Sequence, residues 1–337
     1  MKKASAPFKA VILAGGSGER FWPLSTPERP KQFLRVFGGE SLIRQSVTRL
    51  GGLVSPEDVF VVTAKNLVAA TRKELPEIPR GNVVGEPMRR DTGAAVALGV
   101  GLALGSIRAD PIIGFFASDQ MVANPKAFRK TVSKAVALAT RKDAIVTIGI
   151  KPVYPATCFG YISPKTRAFV EKPDSATAKK YVRSGYLWNA GMFIARASTF
   201  RAAFAAHAPE LECLARFGTG GTGRLAKIYD ALPKISFDYA VMEKAKNVEV
   251  VPGDFGWDDV GSFAAFDRYF PHDSRGNVRE GPCTAVDSEG NICVARSARI
   301  SLLGVRNLVV VTTPDSVLVA DKSRITEMKK IFTSNGK

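Results

Sequence analysis

The side chains that most often carry metal or nucleophilic chemistry are scarce in this chain. Its 337 residues include two histidines, His207 and His272, and four cysteines, Cys158, Cys213, Cys283 and Cys293. The cysteines lie far apart, with no C-x-x-C pair, which favours free thiols in a reducing cytoplasm over disulfides or zinc. No Ser-His-Asp or Cys-His set stands out, so a covalent acyl-transfer mechanism is not expected. No apolar run reaches the roughly 20 residues of a membrane span. The opening MKKASAPFKAVILAGG is too short and too glycine-terminated for a secretory signal and reads as a first strand. Acidic residues are few as well, 31 against 48 Lys and Arg, for a formal charge of +17. That balance suits a polyanion. The basic residues are scattered, however, and are not interleaved with aromatics, so nucleic acid is disfavoured and general surface basicity preferred.

What is present is a regular alternation of strand and helix patterns with 45 % apolar residues. It predicts an α/β fold with a doubly wound, mostly parallel sheet. Strands are expected at 58–63, 82–87, 111–119, 144–150 and 187–195. Helices are expected at Ser41–Leu50, Leu67–Leu75, 93–105 (capped by Thr92), Ala127–Ala139, 198–216, 224–231 and 236–245. CFGYIS and RAFVEKP read as a hairpin, and GTGGTG (218–223) as a loop. After about residue 275 only short strands with regular turns remain, followed by a helix over Ser323–Ile331. The chain therefore divides into residues 1–274, a large α/β domain, and 275–337, a small all-β unit.

The stretch Phe8–Leu34 carries the strongest chemical signal. The apolar run Ala10–Ala14 breaks into Gly15, Gly16, Ser17 and Gly18. Such a loop offers successive backbone N–H groups to phosphate oxygens. Arg20 follows, and Lys31 arrives after Pro23, Pro27 and Pro30. Two fixed cations beside that cradle suit a polyphosphate. No Gly-Lys-Ser/Thr follows, so this is not a Walker loop. Phe21 stands where a dinucleotide fingerprint has its third glycine, and the strand Val59–Thr63 ends without an acidic residue. The plain alternative is a glycine turn between strand and helix; the glycines together with Arg20 and Pro30-Lys31-Gln32 argue against it.

Further constellations sit at expected strand ends, where α/β ligands bind. Gly85-Glu86-Pro87 leads to Arg90-Asp91-Thr92. Ser118-Asp119 closes the run PIIGFFA, and Asp258-Asp259 lies in GWDDVGSF. Gly160-Tyr161, Glu171-Lys172-Pro173 and Trp188-Asn189-Ala190-Gly191-Met192 offer short polar groups and a cation for a sugar phosphate. Taken singly, each is an ordinary cap, turn or solvated pair.

Taken in order, LAGGSGERFWPLS…PKQFL, GEPMRRDT, FVEKP, WNAGMF and GWDDVGS resemble the sugar-phosphate nucleotidylyltransferase family, most closely its bacterial mannose-1-phosphate guanylyltransferase branch. The resemblance runs from about Lys9 to Lys330. It implies a Rossmann-like catalytic domain with a left-handed β-helix-like C-terminal unit used in dimer contacts. It implies guanylyl transfer from GTP to mannose 1-phosphate, with Mg²⁺ held by Asp119 and Asp259. Arg20, Lys31 and Lys172 would be catalytic. Leu13, Ala14, Gly15, Gly16, Gly18, Arg20, Lys31, Glu86, Pro87, Arg90 and Thr92 would bind the nucleotide. Gly160, Tyr161, Glu171, Lys172 and Asn189 would bind the sugar phosphate. A cytoplasmic homodimer without membrane attachment is expected. The chain departs from the family pattern at Asp91, where Asn is usual, and at Gln120, where His follows the aspartate. Two other readings remain open. One is the same chemistry on glucose 1-phosphate with UTP or dTTP. The other is a non-catalytic nucleotide- or nucleic-acid-binding homologue.

Overall fold

The computed structural model describes residues 6–16, 18–105, 109–217, 222–328 and 330–331, with the backbone alone at 222 and 223. Contacts divide the chain into two compact units. The first joins Met1–Gly15 to Arg44–Trp257, and the second joins Gly16–Ile43 to Asp258–Lys337.

The first unit is built on strands β1 (Phe8–Ala14), β2 (Val59–Ala64), β3 (Val83–Glu86) and β4 (Ile112–Ala117). They are joined by the two-residue β5 (Met121–Val122), by β6 (Ile145–Ile150), by the hairpin β7 (Tyr161–Ile162) and β8 (Phe169–Val170), by β9 (Leu187–Arg196) and by β10 (Val248–Gly253). The sheet order is β10-β6-β9-β4-β1-β2-β3, with β7 on β9 and β8 on β7. Along that order neighbours run parallel except β9, which is antiparallel to both β4 and β6, and the β7 and β8 pairings are antiparallel. The central strands are mostly apolar, with Lys9, Thr63 and Thr147 as buried exceptions, because helices pack on the sheet.

Those helices are α1 (Leu42–Thr48), α2 (Val68–Glu74), α3 (Asp91–Leu104), α4 (Pro125–Arg141), α5 (Ser175–Arg183), α6 (Ala197–His207), α7 (Glu212–Ala215) and α8 (Thr222–Asp230). Helix α3 is buried nearly end to end. A Cβ at Gly99 would stand 2.6 Å from the Phe115 ring and 2.8 Å from Val11, so the absent side chain lets α3 lie directly on the sheet. Helix α4 is amphipathic. It starts where the Asn124 side chain accepts from the Ala127 N–H at 3.0 Å and buries Phe128, Val132, Ala135 and Ala139.

Several expected elements are corrected. Thr92 does not cap α3: the helix already begins at Asp91, and the Thr92 hydroxyl accepts from the Phe237 N–H at 2.9 Å. Helix α5 was hidden behind the hairpin pattern, although Asp174 caps it by accepting from Thr177 N–H. The single helix expected over 198–216 is interrupted at Pro209, which cannot continue the backbone hydrogen bonding. The helix expected at 236–245 is a π-helical turn over Asp238–Met242. Of the loop expected at 218–223, residues 218–221 lie outside the described residues.

In the second unit, the 3₁₀ turn at Glu19–Phe21 and Phe37, which follows the turn at Lys31–Phe33, share an aromatic cluster with α9 (Phe266–Tyr269) and its preceding turn. Phe21 meets Phe263 at 5.3 Å and Phe37 meets Phe266 at 5.4 Å. After the short β11 (Trp257–Asp258), the strands β12 (Val278–Glu280), β14 (Ile292–Ala295) and β16 (Leu308–Thr312) stack in parallel. So do β13 (Cys283–Val286) and β15 (Ile300–Leu303), while β17 (Val317–Asp321) closes antiparallel on β16. Parallel pairing of successive coils makes this part β-helix-like. Buried Asn277 and Asn291 form a ladder along one corner, with Asn291 Nδ2 donating to Asn277 Oδ1 at 2.9 Å. Of the helix expected over Ser323–Ile331, the first part is a 3₁₀ run over Lys322–Glu327, residues 330–331 are helical, and residue 329 lies outside the described residues.

Candidate active site

In the second unit, residues far apart in sequence converge on the glycine loop. Gly18 has φ +67, and a Cβ there would lie 2.7 Å from Lys31 Cβ and nearer still to the Lys31 backbone nitrogen. Only glycine permits that approach. Lys31 is buried and its Nζ donates to the Asp259 carbonyl at 2.7 Å. A Cβ at Gly261 would sit 3.3 Å from Arg20 Nη1 and 3.4 Å from Asp259 Oδ2, so Arg20 and Asp259 flank one glycine. Arg20, Lys31, Gly18 and Asp259 are thus gathered in one place. Gly16 is exposed, with nothing near the place a Cβ would take. Asp258 is committed elsewhere. Its carboxylate takes Arg268 Nε at 2.7 Å and Nη2 at 3.0 Å, and the Val260 N–H at 2.7 Å. Val260, buried with φ +48, is β-branched in a conformation such residues avoid.

In the first unit, Leu13 and Ala14 end β1 and Gly15 follows, while Glu86 ends β3 and Pro87 follows it. A Cβ on Gly15 would stand 3.2 Å from Glu86 Oε2. Gly15, Glu86 and Pro87 line a cavity of about 510 Å³ together with Lys65, Asn66 and Arg89. The last three were not expected. The position of Lys65 and Asn66 just past a parallel strand was the signal that could have found them. Tyr229 donates its hydroxyl to Glu86 Oε1 at 3.0 Å. Burial pushes the Glu86 carboxyl up to about 7, with the Tyr229 hydrogen bond opposing and the charge of Asp91 assisting. Arg90 and Thr92 act as tethers. Arg90 donates to the carbonyls of Tyr229 at 2.8 Å and Asp230 at 3.0 Å, at the carboxyl end of α8. The Thr92 hydroxyl is engaged by Phe237.

A second cluster of the first unit gathers the expected sugar-phosphate residues. A Cβ at Gly160 would lie 2.5 Å from Glu171 Oε2 and 3.5 Å from Asn189 Cβ. Lys172, at φ +45, pairs with Glu171 at 2.7 Å. Burial works against the Lys172 ammonium, but the Glu171 hydrogen bond and the charges of Glu171, Asp238 and Tyr239 hold its pKa above the ordinary value. Buried Asn189 is fixed in orientation. Its Oδ1 accepts from the Thr147 hydroxyl at 2.7 Å and from the Gly191 N–H at 3.1 Å, while its Nδ2 donates to Asp238 at 3.0 Å. The Tyr161 ring points inward and its hydroxyl donates to the Ala156 carbonyl at 2.8 Å, so Tyr161 contributes packing to this cluster. Asp238 was missed because SFDYAVMEKA reads as an ordinary helix.

Asp119 is half-buried just past the end of β4. The buried Arg49 grips its turn, donating to the carbonyls of Gln120 at 2.9 Å and Ala117 at 3.3 Å and to the Ser46 hydroxyl. Burial lowers the Arg49 pKa to about 10 against the opposing charge of Asp119. Gln120 Nε2 donates to the Ala190 carbonyl at 2.9 Å, tying this turn to β9. Among the described residues no three or more His, Cys, Asp or Glu side chains assemble into a cage, and no helix is long and apolar enough to cross a membrane.

A family model described as Nucleotidyl transferase matches residues 9–275. This chain belongs to the nucleotidyl transferase family. A second model, a MannoseP isomerase/GMP-like beta-helix domain, matches residues 281–334. Among relatives of this nucleotidyl transferase is a mannose-1-phosphate guanylyltransferase of Salmonella muenchen, 35 % identical over 95 % of this chain and 72 % of its own length. Another, from Escherichia coli K12, is 34 % identical over 97 % of this chain and 73 % of its own. A crystal structure from Thermus thermophilus, described as a mannose-1-phosphate geranyltransferase, superposes with a TM-score of 0.89 at 36 % identity. The match covers 98 % of this chain and 99 % of that one.

Proposed function

We propose that this nucleotidyltransferase moves a guanylyl group from GTP to α-D-mannose 1-phosphate, giving GDP-mannose and pyrophosphate. The observation that carries this reading is the likeness to mannose-1-phosphate guanylyltransferases along 95 % of the chain. The residue clusters support it. A phosphate oxygen of the sugar phosphate attacks the α-phosphorus of GTP. The bond from that oxygen to phosphorus forms, and the bond to the bridging oxygen of pyrophosphate breaks. The attacking group is already an anion, so no side-chain nucleophile is required. Catalysis is positioning and charge stabilisation. The cavity beside Glu86 takes the nucleoside end of GTP. Arg20 and Lys31, held at the glycine loop, bind the departing phosphates. Lys172 holds the sugar phosphate, and Glu171 and Asn189 take sugar hydroxyls.

Magnesium is the metal we propose, with Asp119 and Asp259 as its carboxylates on sequence grounds. The commitment of Asp258 to Arg268 and Val260 fits Asp259 as the ligand of that pair. The hard carboxylate set, without a Cys or His cage, fits a cation that uses one or two carboxylates plus phosphate oxygens and water. When bound, Mg²⁺ would neutralise charge on the reacting phosphates. We also read the protein as a cytoplasmic homodimer. Exposed Val286, Leu303, Val317 and Val319 on the C-terminal strands supply apolar surface that a dimer would bury.

The test is pyrophosphate release from GTP plus mannose 1-phosphate, with and without Mg²⁺. ATP, UTP, dTTP and glucose 1-phosphate run in parallel. Release confined to GTP, mannose 1-phosphate and metal is expected. Release with another pair would keep the chemistry and move the specificity. No release with any pair would leave only a binding protein.

A further inference from the structure

One turn of the first unit reaches both partners of the sugar cluster. Asp238, at the start of the π-helical turn, accepts from Asn189 Nδ2 at 3.0 Å. Glu243, just past its end, accepts from the Glu171 backbone N–H at 2.9 Å. Single π-helical turns recur at functional sites because the extra residue re-aims side chains. The segment leading into this turn is anchored at the nucleotide loop. Gly93 N–H donates to the Ile235 carbonyl at 3.0 Å, and Phe237 N–H to Thr92. Asn189 has both Oδ1 acceptor sites occupied, so its remaining Nδ2 hydrogen is the only donor it can present to a ligand, and Asp238 decides where that hydrogen points.

We propose that Asp238 is a positioning residue for the sugar 1-phosphate: it orients Asn189 and sets the charge balance around Lys172. This rests on the guanylyl-transfer reading above. The charged and titratable groups facing Asp238 are Glu171 and Lys172, next to β8, and Asp91 at the start of α3, while Tyr239 of its own turn acts on Lys172. Two carboxylates beside one ammonium weaken that ammonium's pull on a phosphate dianion, whereas one carboxylate and one carboxylic acid leave it stronger. Burial, followed by the charge of Glu171, pushes Asp238 up to about 7. At neutral pH it therefore switches between those states, and its ionisation weakens capture of the sugar phosphate.

The experiment measures KM for mannose 1-phosphate and for GTP in wild-type protein, D238A and D238N from pH 6 to 8, with melting temperatures alongside. D238A should raise the mannose 1-phosphate KM about tenfold while the GTP KM stays within about twofold, since the buried hydrogen bond that orients Asn189 is lost at one subsite only. D238N can still accept from Asn189. It should keep a low KM and lose the rise in mannose 1-phosphate KM that the wild type shows above pH 7. If both KM values and the melting temperature move together in D238A, or if D238N keeps the wild-type pH profile, Asp238 is merely structural and the proposal falls. Should D238A fail to fold, the D238N profile decides alone. Wild-type protein that does not turn over GTP with mannose 1-phosphate would instead sink the underlying reading, and this one with it.

Discussion

Lys31 Nζ donates a 2.7 Å hydrogen bond to the backbone carbonyl of Asp259, joining residues 228 positions apart. The cation that follows the proline segment thereby fixes the backbone of the aspartate proposed for magnesium. Lys31→Met removes the charge and strands a carbonyl. Its rate of pyrophosphate release should fall by on the order of 10²-fold, as loss of one preorganised charge contact does. Arg20→Ala should fall comparably but with little change in melting temperature, because Arg20 is exposed. A wild-type rate in either variant would remove that residue from the site.

Gly18 meets the Lys31 backbone at a distance no Cβ allows, in a left-handed conformation. Gly18→Ala must push the two segments apart. We expect a turnover loss of roughly tenfold or more and a lower melting temperature, since strain at such a position costs on the order of 1–3 kcal/mol. Gly16→Ala meets no neighbour and should leave the melting temperature unchanged. Equal melting temperatures for Gly18→Ala and wild type would contradict the packing.

Adjacent aspartates should separate by function. Asp259→Asn should raise the Mg²⁺ concentration needed for half-maximal rate. Asp258→Asn weakens the paired contact to Arg268 and should lower stability by about 1 kcal/mol without that shift in metal requirement. Magnesium titrations of both variants check the assignment, and the reverse pattern would exchange their roles.

Glu86 links stability to pH. Its carboxyl is raised from 4.5 to about 7 in the fold, chiefly by burial. The folded protein therefore binds this proton more tightly than the unfolded chain between those values. Stability falls as pH rises through that window, by up to about 3 kcal/mol for this group. Glu86→Gln should remove that share of the slope and melt higher than wild type above pH 7. Asp238, raised in the same direction, keeps its own slope. Parallel melting curves for Glu86→Gln and wild type from pH 5 to 8 would show that Glu86 is not protonated in the fold.

Much of the molecule was legible because its signals are local. The apolar runs of β1, β4 and β6 mark strands buried on both faces, and the break into Gly15–Gly18 marks the end of the first strand. The C-terminal part announced itself as short strands with regular turns, while its β-helix-like coiling was implied only by the family resemblance. What failed did so where tertiary contacts override a local pattern. Thr92 looks like a cap, yet the helix begins one residue earlier and its hydroxyl is taken by Phe237. Tyr161 sits within a polar motif, yet its ring fills the core.

The sequence alone determined the parallel α/β core, a small all-β C-terminal part and the motif residues that mark the family, since periodicity and glycine placement depend only on near neighbours. Only the tertiary structure decided that Lys31 holds the Asp259 backbone, that Arg90 tethers α8, and that Asp238 joins the sugar cluster. Those contacts span 49 to 228 residues. Contacts that distant are set by how the sheet and its loops pack, which no short window of sequence contains.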